Sequence, residues 1–212
     1  MSNPSTAPPC LAAVDLECIR GDNLLFSGLS FEIHGGQLAQ VEGANGSGKT
    51  SLLRILAGLA LPSNGEVRWR GVDIHRQRAS YFAEMVYLGH ALGIKGELSA
   101  IENLKISLAL AGVPANLDLL YDVLERTGLR GREDLPARTL SAGQRQRIAL
   151  ARMLVCPCAV WIVDEPFTAL DSSGIALMCR LLEEHVASGA MTVLTSHQAV
   201  DVRGDMVKLS LS

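Results

Sequence analysis

Apolar positions along the chain fall into two periods. From Leu11 to Ile19, and again from Leu29 to Ile33, they suit strands, with Arg20-Gly21-Asp22-Asn23 as a turn between them. Leu38, Ala39, Gln40 and Val41 make a short run suited to a buried strand that ends at Glu42. The period then changes: Leu52, Leu53, Ile55, Leu56 and Leu59 recur at helical spacing, and that helix closes near Gly58. Pro62-Ser63-Asn64-Gly65 predicts a turn, Val67 and Trp69 a strand running to Gly71, and Met85 to Leu88 another short buried strand.

Beyond Gly89 the texture becomes helical. Ser99-Ala-Ile-Glu102 is a capping-box pattern that opens a helix through Ala111, stopped by Gly112 and Pro114. Asn116 caps a second helix with Leu117, Leu120, Val123 and Leu124 on one face, closed at Gly128. Leu140-Ser141-Ala142-Gly143-Gln144 precedes a third, running to about Leu154. No strand intervenes, so residues of about 91–157 read as a helical insertion into an α/β core. Ala159 to Val163 is then a buried strand, Gly174 to Ala187 a helix, and Met191 to Thr195 a further strand.

Composition narrows the classes without choosing one. A length of 212 residues suits a single large domain, here 11–212, behind a polar, Pro-rich lead-in at 1–10 that lacks the features of a signal peptide. Hydrophobic residues at 48% and charged residues at 19% are ordinary for a globular chain. A net charge of −3 offers no basic face for nucleic acid. No apolar run reaches the ~18 residues that span a bilayer, so a membrane role would run through a partner. The five cysteines contain no C-x-x-C pair and read as reduced thiols. Cys156-Pro157-Cys158 precedes an apolar strand without a partner cluster and reads as core or near-core thiols rather than a metal site.

The strand-to-helix change at Glu42 encloses the chain's clearest chemistry. Gly43, Ala44, Asn45, Gly46, Ser47, Gly48, Lys49 and Thr50 complete the pattern G-x-x-x-x-G-K-T, with Ser51 following. The glycines let the backbone curl so that several N–H groups point at an anion, and the helix start adds the positive end of its dipole. Lys49 supplies a cation for the β- and γ-phosphates of ATP, and the Thr50 hydroxyl a ligand for Mg²⁺. A Gly-rich surface turn is the competing reading, and it leaves the flanking strand and helix unexplained. Val160 to Val163 deliver Asp164 and Glu165 to a strand C-terminus, where open α/β sheets bind ligands. There Asp164 can hold Mg²⁺ opposite Thr50, and Glu165 can polarise a water for attack on the γ-phosphate.

The set Gly43 to Thr50, Leu140 to Gln144, Val160 to Glu165, Thr168-Ala-Leu-Asp171 and His197 resembles the nucleotide-binding domain of ABC transporters. The pentapeptide at 140–144 is the most specific element, since ordinary P-loop enzymes lack it. A small P-loop kinase would leave both it and His197 unexplained. The resemblance implies a P-loop NTPase fold with a RecA-like core, an antiparallel β subdomain and a helical signature subdomain. It implies that Ser141, Gly143 and Gln144 meet the γ-phosphate held by a second subunit, so a homodimer would carry two composite sites. Asp171 would lie at the dimer seam, and His197 would join Glu165 as a catalytic residue.

Two positions depart from that family. The signature reads Ser-Ala-Gly where Ser-Gly-Gly is usual, harmless unless Ala142 needs a positive φ. Gly89-His90 stands where a glutamine contacts Mg²⁺ or water and senses the membrane partner. His90 is thus either a substitute in the nucleotide site or a surface residue after a strand.

Leu88-Gly-His90, Gly93 to Leu104, Leu25 to Phe31, Glu42 to Gly46 and Trp69 look like the ATP-binding subunit of the bacterial cytochrome c maturation (haem exporter) system. This implies small integral membrane partners, a haem chaperone contacted indirectly, no nucleic acid, and a peripheral place on the cytoplasmic face of the inner membrane. In that family ATP hydrolysis releases the haem-loaded chaperone. A different ABC exporter, or a soluble ABC ATPase, shares the same motifs and remains the alternative.

Overall fold

The computed structural model describes residues 8–168, 170–196 and 202–211. Its strands form two sheets. The first joins β1 (Cys10–Arg20), β2 (Asn23–His34), β4 (Asn64–Trp69) and β5 (Val72–Asp73) in the order β2-β1-β4-β5, every pair antiparallel. The second takes β3 (Gln37–Glu42), β6 (Met85–Leu88), β7 (Val160–Asp164), β8 (Met191–Thr195) and β9 (Asp205–Ser210) in the order β6-β7-β8-β3-β9, every pair parallel. β7 and β8 are buried along their whole length, as central strands covered on both faces must be.

Between the two sheets lies α1 (Lys49–Leu56), whose Leu52, Leu53, Ile55 and Leu56 are fully buried. They pack into one core with Leu11, Ile33, Val67 and Trp69 of the first sheet and Val41, Ile162 and Val193 of the second. The helical period read between Leu52 and Leu56 is that of a helix held between two layers. Leu59, beyond its end, is half exposed.

The opposite face of the parallel sheet carries α5 (Ala142–Val155) and α6 (Ser172–Ala187). α5 also packs on α3 (Ala100–Leu110) and α4 (Leu117–Arg126). Its Ala149, Leu150 and Met153 join the core under the sheet, whereas Ile148, Ala151 and Val155 join the core of the helical layer. A helix buried on both sides in this way ties the helical layer to the strand that follows it.

Local chemistry explains the boundaries. Ser99 and Ser141 each close a capping box, with Glu102 and Gln144 respectively, while Asn116 and Asp171 cap α4 and α6 through their side chains. Ala142 is the first residue of α5 and is not among the residues with positive φ, so the extra Cβ in the signature is accommodated. β1 begins at Cys10, the residue expected to end the lead-in. β2 begins at Asn23 rather than Leu29, and its pairing with β1 slips around Asp15 and Gly28, both at positive φ. Among the described residues four elements have no counterpart in the sequence reading: β5, the short α2 (Arg78–Ala83), a single 3-10 turn at Ala137–Thr139 and β9. β5 has two residues, α2 lacks a side-chain cap, and β9 alternates weakly at a sheet edge.

Candidate functional site

The loop between β3 and α1 is built to meet an anion. The first helical residue of α1 is Lys49, preceded by Gly48 in the left-handed conformation (φ 96°). A Cβ on Gly48 would stand 3.1 Å from both Leu25 and Phe26 of β2, so only glycine lets the loop lie against that strand. Whereas α3, α4, α5 and α6 each begin with a side-chain cap, α1 has none and no acidic residue in its first turn. Its leading N–H groups are therefore left for a ligand.

Other polar groups point the same way. Lys49 Nζ folds back over the loop and donates to the carbonyls of Gly43 (2.7 Å) and Ala44 (3.0 Å). Ser47 N–H donates to the Ala44 carbonyl at 3.2 Å, and the Ser47 hydroxyl is buried without a hydrogen-bond partner. An ammonium folded over the loop beside an uncapped helix start fits a phosphate chain. Asn45, Gly46, Gly48, Lys49, Thr50 and Ser51 line a cavity of about 420 Å³ whose far wall is Asp164 and Glu165. Leu25, which sequence reasoning passed over as a ligand neighbour, closes one side.

Asp164 is the last residue of β7 and is 6% exposed. Its Oδ1 accepts from Thr195 Oγ1 at 2.7 Å, and the same Oγ1 accepts the Glu165 N–H at 3.0 Å. Glu165 holds a φ of 54°, a conformation that costs a non-glycine residue about 1–2 kcal/mol. The strained residue sits at the end of a buried strand, and the two acids line the same cavity. Thr195 was not among the expected site residues; its signal is only a hydroxyl closing an apolar strand.

A second cavity, about 180 Å³, is lined by Gly89 and His90 together with Asp164, Glu165 and, from α5, Ala142 and Gln146. Gln146, also unforeseen, is buried and donates to the Pro166 carbonyl at 3.4 Å, joining α5 to the turn after Glu165. A third cavity, about 430 Å³, gathers Ser141, Gly143, Gln144, Arg147 and Asp171. Ser141 Oγ accepts the Gln144 N–H at 3.2 Å, and Gln144 Oε1 accepts the Ser141 N–H at 3.0 Å. The Ser141 hydroxyl proton is left over from that exchange and can be donated outward. Arg147 donates to the Thr127 carbonyl (3.1 Å) and Ser173 Oγ (2.8 Å), and its guanidinium lies 3.5 Å from Asp171 Oδ1. Backbone and hydroxyl bonds from Gly174 and Ser173 hold the Asp171 carboxyl below its ordinary range.

The three cavities divide the expected residues. The phosphate loop, Asp164 and Glu165 meet, and His90 adjoins the two acids. Ser141, Gly143 and Gln144 open into a separate cavity with Asp171. His197 lies outside the described residues. None of the five cysteines is in a disulfide; Cys18 is buried and the others are partly exposed.

A parallel sheet carrying a phosphate loop and two strand-end acids, with a capped Ser-Ala-Gly-Gln helix start on the flanking helical layer, defines an ATPase cassette. Residues 26–168 match the ABC transporter family. The cytochrome c biogenesis ATP-binding export protein CcmA of Methylococcus capsulatus is 63% identical over 208 residues, spanning 98% of this chain and 100% of the relative. Its namesake in Nitrosospira multiformis is 52% identical over 200 residues, spanning 94% and 97%. The chain belongs to the ABC transporter family, among its cytochrome c biogenesis ATP-binding export proteins. Solved structures agree on the fold. An ABC transporter ATP-binding protein from Pyrococcus furiosus superposes with a TM-score of 0.83 at 23% identity, covering 95% of this chain and 97% of that one. A dimeric bacterial ABC transporter cassette gives 0.83 at 22% identity, covering 94% of each.

Proposed function

We propose that this chain is the ATP-hydrolysing subunit of a membrane complex for cytochrome c maturation, and that hydrolysis drives release of a haem-loaded chaperone. The observation that carries the reading is the 63% identity to a cytochrome c biogenesis export protein along that relative's whole length. Among the described residues no helix is long and apolar enough to cross a membrane, which fits a subunit held at the cytoplasmic face by small integral membrane partners. Residues 11–212 act as one ATPase domain in which the helical layer, about 91–157, is an insertion; the sharing of α5 between two cores supports that division.

In this reading the uncapped start of α1 and Lys49 hold the β- and γ-phosphates, with Gly43 to Ser51 as the cradle. Thr50 and Asp164 hold Mg²⁺, which when bound neutralises charge on the phosphate oxygens. Glu165 takes a proton from a water as its oxygen bonds to the γ-phosphorus and the bond to the β–γ bridging oxygen breaks, leaving ADP and phosphate. His197 positions that water. Ser141, Gly143 and Gln144 of a second copy cover the γ-phosphate, an arrangement supported by their lying in a cavity apart from the phosphate loop of their own chain. His90 reports on the partner, a role supported by its lining one cavity with the two acids.

The test is to tag Glu165→Gln, trap it with ATP in native membranes and identify what copurifies. Small haem-handling membrane proteins with a haem chaperone support the reading. An unrelated permease would move the protein to another exporter, and a soluble species alone would remove the transporter. Ordinary steady-state turnover by Glu165→Gln would sink the catalytic assignment.

A further inference from the structure

The mechanism makes no use of the far end of the antiparallel sheet. There Cys10 opens β1 and His34 closes β2, and the two are direct cross-strand partners. Glu32 stands two residues before His34 and therefore on the same face. Among the described residues, Cys10, Glu32 and His34 are the one group of three such side chains whose ligand atoms all lie within 4.8 Å of one another. His34 Nε2 and Glu32 Oε2 are 3.6 Å apart.

The backbone under this cluster is fixed from several sides. Gly35 N–H donates to the Pro9 carbonyl at 3.1 Å, Gly36 N–H to Ala190 at 2.8 Å, and His34 N–H to Gln37 Oε1 at 2.8 Å. A Cβ on Gly35 would stand 2.4 Å from the Gly189 carbonyl oxygen, so the turn after His34 is pressed directly onto the α6–β8 turn. The strands are thus set in place before any ligand arrives, and only side-chain torsions remain to be adjusted. Arg68, on the neighbouring strand, is committed to Glu66 at 2.7 Å.

We propose that Cys10, Glu32 and His34 form a three-ligand site for a borderline first-row divalent cation, zinc foremost, with a fourth position open to water. Sulfur, imidazole nitrogen and carboxylate oxygen are the donor set of such ions, whereas Mg²⁺ and Ca²⁺ take oxygen alone. Metal–ligand bonds of about 2.0–2.3 Å in a tetrahedron put neighbouring ligand atoms roughly 3.5 Å apart, the separation His34 and Glu32 already have. The competing account is a plain His34–Glu32 ion pair in which the thiol has no part. The site is remote from the phosphates: β3 runs from Gln37, beside His34, to the phosphate loop, six residues or about 20 Å away.

Cobalt reports directly on the thiol. The full-length chain, freed of any affinity tag, stripped of metal with EDTA and kept without nucleotide, would be titrated with Co²⁺ and followed by absorption. One equivalent should produce a sulfur-to-cobalt charge-transfer band and the intense d–d bands of a four-coordinate ion, both bleached by one equivalent of Zn²⁺. Cys10→Ser should abolish the charge-transfer band, and Glu32→Gln and His34→Gln should each weaken binding by about tenfold or more. The double variant Cys156→Ser/Cys158→Ser should keep the band, and Zn²⁺ should raise the melting temperature of wild type but not of Cys10→Ser. Absence of the charge-transfer band in wild type, its survival in Cys10→Ser, or its loss in the Cys156/Cys158 double variant would overturn the assignment.

Discussion

Thr195 and Asp164 share a 2.7 Å hydrogen bond at the buried ends of adjacent parallel strands, and the same Thr195 hydroxyl also accepts the Glu165 N–H. One hydroxyl thereby sets two acids whose carboxylates face the same cavity. Thr195→Val keeps the shape and removes both bonds. It should cost about 1–3 kcal/mol in urea unfolding and lower kcat for phosphate release by about tenfold to a hundredfold. Thr195→Ser should restore most of the rate; full activity in Thr195→Val would assign the pair to folding alone.

His90 adjoins Asp164 and Glu165 across a cavity it shares with the start of α5. Its replacement by the longer, uncharged amide of glutamine should change, by severalfold, how far the membrane complex stimulates ATP hydrolysis. Phosphate release with and without reconstituted partners reads this out. Basal and stimulated rates both equal to wild type would leave His90 as a strand-end residue only.

His185 stacks on Trp161 with ring centroids 3.7 Å apart and planes within 7°, and burial lowers its pKa to about 4 despite the hydrogen bond the imidazole donates to the Met191 backbone. The unfolded chain titrates near 6.5. Between those values the unfolded state binds a proton that the folded state refuses, so stability is complete above about pH 6.5 and falls as the pH drops toward 4. The ceiling on that loss is about 3 kcal/mol. Urea midpoints at pH 7.5 and pH 5 should differ in wild type, and His185→Phe, which keeps a stacked ring, should flatten the difference. An unchanged slope in that variant would place the acid sensitivity elsewhere.

Cys156 and Cys158 flank Pro157 at the end of α5, with the Cys158 N–H donating to the Cys156 carbonyl at 2.8 Å. The Cys158 thiol bonds to the Cys156 sulfur and, aided by Arg152 against the effect of burial, lowers Cys156 to about 7. The rate of Cys156 alkylation by iodoacetamide, followed by peptide mass, should therefore reach half its maximum at a lower pH than for an ordinary thiol. Cys158→Ala should move that point upward, whereas Cys158→Ser, which keeps a donor, should move it less. Equal profiles in all three proteins would rule out the thiol pair as the cause.

The parts of the molecule legible in sequence are those where one local rule acts alone. Ser99 and Ser141 announce their helices because a capping box is complete within four residues. β6, β7 and β8 read as apolar runs because parallel strands are buried on both faces. Gly43 to Thr50 is legible because few purposes other than an anion need that order of residues. The first half of β2 was hidden by Gly28, whose positive φ accompanies a slip in pairing that breaks the alternation. Thr195 and Gln146 were hidden for another reason: each matters through a partner thirty-one and twenty residues away, and neither has a pattern of its own.

From α5, Arg147 reaches three groups on two other pieces of chain: the Thr127 carbonyl after α4, and the Ser173 hydroxyl and Asp171 carboxylate at the head of α6. In mechanical terms it works as a three-way coupling. A rotation of the helical layer against the parallel sheet either drags the head of α6 along or breaks the guanidinium's bonds one by one. A lysine at that position could engage one of these groups at a time, and the two bodies would then be free to turn at different moments.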